Sequence, residues 1–104
     1  MFRKNTLITK GINEQLDINV IIALWELVQG EYSRKLDYLQ IFELKNVGTT
    51  EEPMLKIVWK QEQPEHIETY YVKGLVSSVE KVWIICSGEG TADEYSTMLL
   101  PEEY

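Results

Sequence analysis

Between Asp17 and Ser33 the apolar positions recur every three or four residues. At about 100° per residue, Ile18, Ile21, Ile22, Trp25, Val28 and Tyr32 share one face. This spacing predicts one long helix, DINVIIALWELVQGEYS. Asp17 precedes the first periodic residue, where its side chain can accept a backbone N–H and its charge suits the positive helix end. Gly30 lies inside the pattern and costs roughly 1 kcal/mol relative to Ala, which weakens the last turn. Arg34 and Lys35 follow that turn, where cations are favoured.

Val20, Leu24 and Leu27 lie beside the first stripe and widen the apolar arc to about 220°. A helix lying on one sheet needs an arc nearer 100°. Two readings follow. Either the helix is deep core with loops over its flank, or these three residues form an exposed patch for a partner or a second subunit.

The remaining patterns are those of strands. Thr6–Thr9 is a short first strand, and GINEQLD turns the chain into the helix. Tyr38–Lys45 sets Leu39 and Ile41 on one face and Phe42 and Leu44 on the other, as in a strand buried on both sides. Asn46–Pro53 is a loop joining this strand to Met54–Glu62. There Leu55, Ile57 and Trp59 alternate with Lys56 and Lys60 across a solvated face. Gln63-Pro64 breaks that strand, and Ile67–Val72 follows it. Leu75–Lys81 is an irregular or single helical turn. Val82–Cys86 is wholly apolar, as in a central strand covered on both faces, and Tyr95–Leu100 resumes β character until Pro101.

Strand, helix, then strands joined by short turns excludes a doubly wound parallel sheet, which needs crossover helices. The order predicts one α+β domain over residues 1–104. Its curved, mostly antiparallel sheet of five to six short strands packs on one long helix. At 104 residues and 44% apolar content, the chain buries a core without metal or disulfide support. No apolar run approaches 18 residues, so no membrane span is expected. The basic N-terminus lacks a signal-peptide apolar region, and one cysteine cannot form an internal bridge. Both point to the cytoplasm.

The net charge is −7, which disfavours direct nucleic-acid binding and attracts basic surfaces. Arg3, Lys4 and Lys10 crowd the start, whereas Glu89, Asp93, Glu94, Glu102 and Glu103 crowd the end. Lys56, Lys60 and Lys73 stand near Trp59, Tyr70 and Tyr71, but Glu62, Glu65 and Glu68 are interleaved with them.

Little catalytic chemistry is written in the chain. His66 and Cys86 are the sole residues of their kinds; a thiol in an apolar strand is ordinarily packing, and His66 follows a turn. One histidine cannot supply a typical zinc set, and no calcium-loop spacing occurs. The pairs Glu51-Glu52, Glu62/Glu65 and Glu102-Glu103 sit in loops or at the terminus, a poor placement for an acid–base dyad. Gly88 and Gly90 lack the following glycine and helix start of a phosphate loop. No enzyme activity and no cofactor are expected.

TKGIN, LWELV, LDYLQIFEL, KQEQPE and STMLLPEEY together span nearly the whole chain. In these segments the sequence resembles a family of small Firmicute proteins designated domain of unknown function 960. The resemblance implies an α+β domain in the bacterial cytosol, in members carried on chromosomes, phages and conjugative elements. It supplies no catalytic residue. Lys10 stands where the family motif has Arg, which removes a planar bidentate donor.

Gln61, Glu62 and Glu65 end an exposed strand without a packing reason. Glu102, Glu103 and Tyr104 end the chain, where Tyr104 can dock and the acids can pair with Arg3 or Lys4. With Val20, Leu24 and Leu27 these are the candidate contact residues. The function expected is a small, acidic, non-catalytic interaction protein whose partner is another protein, one with a basic surface, or a second copy of itself. The alternative is a phage or mobile-element inhibitor of a host nucleic-acid-handling enzyme, its carboxylates standing in for phosphates.

Overall fold

Alternation along six strands builds a single sheet with helices on one side. The computed structural model describes residues 1–31 and 35–104. The order is β1 (Thr6–Ile8), α1 (Lys10–Gln15), α2 (Ile18–Gln29), β2 (Leu39–Asn46), β3 (Met54–Glu62), β4 (Glu65–Lys73), β5 (Lys81–Ser87) and β6 (Tyr95–Leu99). A 3₁₀ turn, Pro101–Glu103, closes the chain. Across the sheet the strands run β1-β6-β5-β2-β3-β4. β1 joins β6 in parallel and the other four ladders are antiparallel, so the sheet is mixed.

Two helices replace the single long one. GINEQLD, expected as a turn, lies mostly in α1: Thr9 Oγ1 accepts from Ile12 N at 3.3 Å, and Glu103 Oε2 accepts from Gly11 N at 3.1 Å. The second acceptor comes from the far end of the chain, which no local pattern reveals. α2 starts where Asp17 predicts, its Oδ1 accepting from Asn19 N at 2.8 Å. It ends at Gln29 with Gly30 as cap, earlier than the periodicity suggests. Arg3 finishes that end, donating to the Gln29 carbonyl at 2.9 Å and the Glu31 carbonyl at 3.1 Å. The expectations for Tyr32, Ser33 and Arg34 lie outside the described residues.

The helix is also turned relative to its strongest stripe. Val20 and Leu24 are 0% exposed and pack with Ile21 and Val28 against the sheet, with Leu27 and Trp25 partly buried beside them. Ile18 and Ile22, from the predicted core face, are 60% and 47% exposed. Of the flank, Val20 and Leu24 are core, and Leu27 packs against it partly buried. Its sheet-side partners include Phe42, Ile57, Trp59, Ile84 and Met98, with Phe42 and Trp59 stacked directly across the β2–β3 ladder at 5.8 Å.

Candidate functional site

The helices cover one face of the sheet, and the strand register defines what the other presents. One row of cross-strand neighbours reads Leu99, Trp83, Ile41, Lys60, Ile67; the next holds Leu7, Thr97, Ile85 and Leu39. β2 and β5 therefore carry apolar residues on the second face too, at Leu39, Ile41, Trp83 and Ile85, but helices cover only the first. Leu39, Ile41, Trp83 and Ile85 are half-buried by one another, Leu99 is buried, and Ile67 and Leu7 are exposed. Tyr104 folds back so that its ring meets Trp83 edge-on at 5.6 Å. An antiparallel face turned to water ordinarily carries polar side chains. Here the two inner strands carry an aliphatic band with one indole.

Charge is sorted along the same face. Lys45, Lys56, Lys60, Lys73 and Lys81 all point to it, while its acids are Glu43 and, at the opposite end of the strands, Glu62 and Glu65. Lys60 pairs with Glu43 at 2.9 Å. Among the described residues no carboxylate lies within ion-pair distance of Lys45, Lys56, Lys73 or Lys81. Lys45 stands directly opposite Lys56, with Tyr71 next along the row, a like-charge pairing that destabilises a sheet. Glu68, interleaved with these lysines in sequence, is on the helix side. An open depression of about 430 Å³ lies over Ile41, Lys60, Gln61, Glu62, Gln63, Glu65 and Ile67.

The residues singled out from the sequence are not brought together. Val20 and Leu24 are enclosed and offer no surface. Gln61, 3% exposed, is structural: its Oε1 accepts from Asp37 N (3.2 Å) and Gln40 Nε2 (3.0 Å), and its Nε2 donates to the carbonyls of Lys35 (3.1 Å) and Pro64 (2.8 Å). Gln40 in turn accepts from Trp59 Nε1 at 2.6 Å, which ties this network into the core. Glu62 and Glu65 are exposed at the β3–β4 turn.

The C-terminal tail docks, though not on Arg3 or Lys4. Glu103 Oε1 accepts from Thr9 Oγ1 at 2.6 Å and from Leu100 N at 2.9 Å. The Thr9 hydroxyl foremost, then the Leu100 amide, hold this carboxyl below the usual carboxylate range against a smaller opposing desolvation, and the Gly11 amide adds to the effect. A Cβ on Gly11 would stand 2.7 Å from Glu103 Oε2, so glycine is what admits this carboxylate. Glu102 stays exposed beside it.

His66 is less isolated than its turn position suggests. His66, Glu68 and Tyr70 line the helix-side face of β4, with His66 Nε2 2.7 Å from Glu68 Oε1 and the Tyr70 hydroxyl donating to Glu68 Oε2. Cys86 is buried on β5, three places along the sheet and roughly 14 Å away at the usual strand spacing, so the two do not form a nucleophile–base pair. Among the described residues no three of His, Cys, Asp and Glu are grouped to hold a metal ion, and no helix is long and apolar enough to cross a membrane.

What stands out chemically is thus a surface: an α+β domain with a mixed six-stranded sheet and a bare apolar and basic face. By sequence the chain belongs to the family described as "Staphylococcal protein of unknown function (DUF960)", whose profile matches residues 5–103. No curated protein matches it. A crystal structure of a protein of unknown function from Enterococcus faecalis has the same fold, with a TM-score of 0.76 at 17% identity, over 99% of this chain and 94% of that one.

Proposed function

We propose that this chain is a non-catalytic docking module that seats another protein on the helix-free face of its sheet. The observation that carries the reading is the set Leu39, Ile41, Trp83 and Ile85, which β2 and β5 place on the face that the helices leave uncovered. Leaving Leu39, Ile41, Trp83 and Ile85 only partly buried forgoes burial worth about 25 cal/mol per Å² of the area still exposed. A protein that needed only solubility could place threonine or lysine there at no cost to the core, because alternate residues serve opposite faces. Patches of this kind, rimmed by charge, mark interaction sites. The setting is the cytoplasm, and the acids elsewhere on the molecule keep it soluble.

The test is affinity capture from a bacterium that carries a member of this family. The wild type, Ile41→Lys and Ile18→Lys serve as baits, each first checked for an unchanged fold by circular dichroism. A bound protein retained by wild type and Ile18→Lys but lost by Ile41→Lys supports the reading. Capture indifferent to Ile41→Lys refutes it.

A further inference from the structure

We infer that the occupant of the helix-free face is an acidic, aliphatic polypeptide segment, lying across the strands with its carboxylates over Lys45, Lys56, Lys73 and Lys81. This rests on the docking reading and adds the chemistry of the partner. The register sets four ammonium groups on β2, β3, β4 and β5 at the same end of one face, in a chain whose net charge is −7. The one carboxylate among them, Glu43 opposite Lys81, is held by Lys60 at 2.9 Å. Lys45 opposite Lys56 is a standing repulsion that neither ladder neighbour relieves, since Lys56 faces Tyr71 on its other side. A carboxylate placed between the two would turn that repulsion into a paired arrangement. Beside the lysines lies the band of Ile41, Trp83, Ile85 and Leu39, which takes apolar side chains. An occupant satisfying both alternates aliphatic residues with Asp or Glu. Four adjacent strands span about 15 Å between the outer pair, a length that about ten residues of helix cover.

The same features weigh against the other occupants. Single-stranded nucleic acid gains its affinity by stacking bases on flat aromatic faces. The band is aliphatic and its one indole is met by Tyr104, while the exposed rings on this face, Tyr71 on β4 and Tyr95 on β6, stand strands apart and cannot stack successive bases. A second copy would offer these lysines from its own face only Glu43, already paired with Lys60, and Glu62 and Glu65.

The experiment selects a displayed random library of about twelve-residue peptides on the immobilised full chain. Selected sequences are then titrated against wild type, Ile41→Lys and the double variant Lys45→Glu/Lys56→Glu. Expected is a pool rich in Asp, Glu, Leu and Ile. Its affinity falls about tenfold or more in the double variant and on raising salt from roughly 50 to 200 mM. The double variant selects basic peptides instead. A pool that needs Ile41 but shows no acidic bias overturns this inference and leaves the docking module standing. A pool indifferent to Ile41→Lys overturns both. Oligothymidylate bound more tightly than any peptide, or a dimer of the chain alone that Ile41→Lys dissolves, replaces the acidic segment with that occupant.

Discussion

Gln61→Leu separates a structural role from a contact role at a residue whose sequence context suggests exposure. The side chain is 3% exposed and its amide makes four hydrogen bonds, which join the segment before β2 to the β3–β4 turn. Each such bond nets about 0.5–1.5 kcal/mol. Three of the losses are softened: Lys35 and Pro64 are exposed, so water can reach their carbonyls, and Gln40 Nε2 keeps the Asp37 carbonyl at 2.8 Å. Leucine also fills most of the vacated volume. The net expectation is a loss of about 2–3 kcal/mol. Followed by tryptophan fluorescence, that moves the urea midpoint down by roughly 2 M at an m-value of about 1–1.5 kcal/mol/M, and Tm by roughly 10–20 °C. Gln63→Leu is the control. Its side chain is exposed, and only its backbone amide is engaged, with Asp37 Oδ2 at 3.1 Å. It should stay within about 0.5 kcal/mol of the parent. A Gln61→Leu midpoint no further from the parent than the control's would show that the network anchors nothing, and would return Gln61 to the surface as a contact.

Leu24→Asp puts a carboxylate into a fully enclosed site and should abolish the cooperative unfolding transition, whereas Ile22→Asp, half in water, should shift the midpoint by less than about 1 kcal/mol; equal effects would mean the helix is turned the other way. Arg3→Ala removes the donors to the Gln29 and Glu31 carbonyls and should cost about 0.5–2 kcal/mol, read in the same denaturation assay, with no cost if the helix end is capped otherwise. Because the folded-state pKa of Glu103 is lowered, its contribution is present above the unfolded carboxyl value of about 4.3 and is lost as pH falls through the lower folded value. Glu103→Gln should therefore narrow the difference between urea midpoints at about pH 6 and pH 3; an unchanged difference would show that this carboxyl is not linked to folding.

The strands were legible because period-two patterning is local. Met54–Glu62 is bounded in the structure as its alternation predicts, and β2, β4, β5 and β6 differ from their sequence readings by two residues or fewer at each end. The helix was legible in existence and start, not in rotation. With an apolar arc near 220°, Ile18 and Val20 compete for the sheet, and the choice falls to side-chain volumes on β2, β3 and β5 rather than to periodicity. α1 was not legible, since one of its N-terminal amides is satisfied by Glu103, 92 residues away. The bare face escapes the pattern for a different reason. VWIIC and YLQIF predict strands enclosed on both faces, yet a chain with one main helical layer has nothing left to cover the second face. That shortfall was present in the sequence and is the one signal that could have pointed there.

The register has a consequence for any mutational dissection of this domain. Because side chains alternate, a residue of the bare face and a core residue are always neighbours in sequence: Ile41 and Phe42, Trp83 and Ile84, Lys56 and Ile57. Phe42, Ile84 and Ile57 sit under the helices at 0% exposure, and truncating them should remove several kcal/mol of stability. Their partners one position away lie on the bare face, with Trp83 also against Tyr104, so exchanging them for charge should cost far less stability and, under the proposed docking, alter binding. A scan averaged over whole strands would merge these opposite outcomes and report β2, β3 and β5 as structural throughout. Read residue by residue, stability and binding losses should alternate with a period of two along each strand. A scan in which the two kinds of loss coincide would mean the bare face is simply the second half of the core.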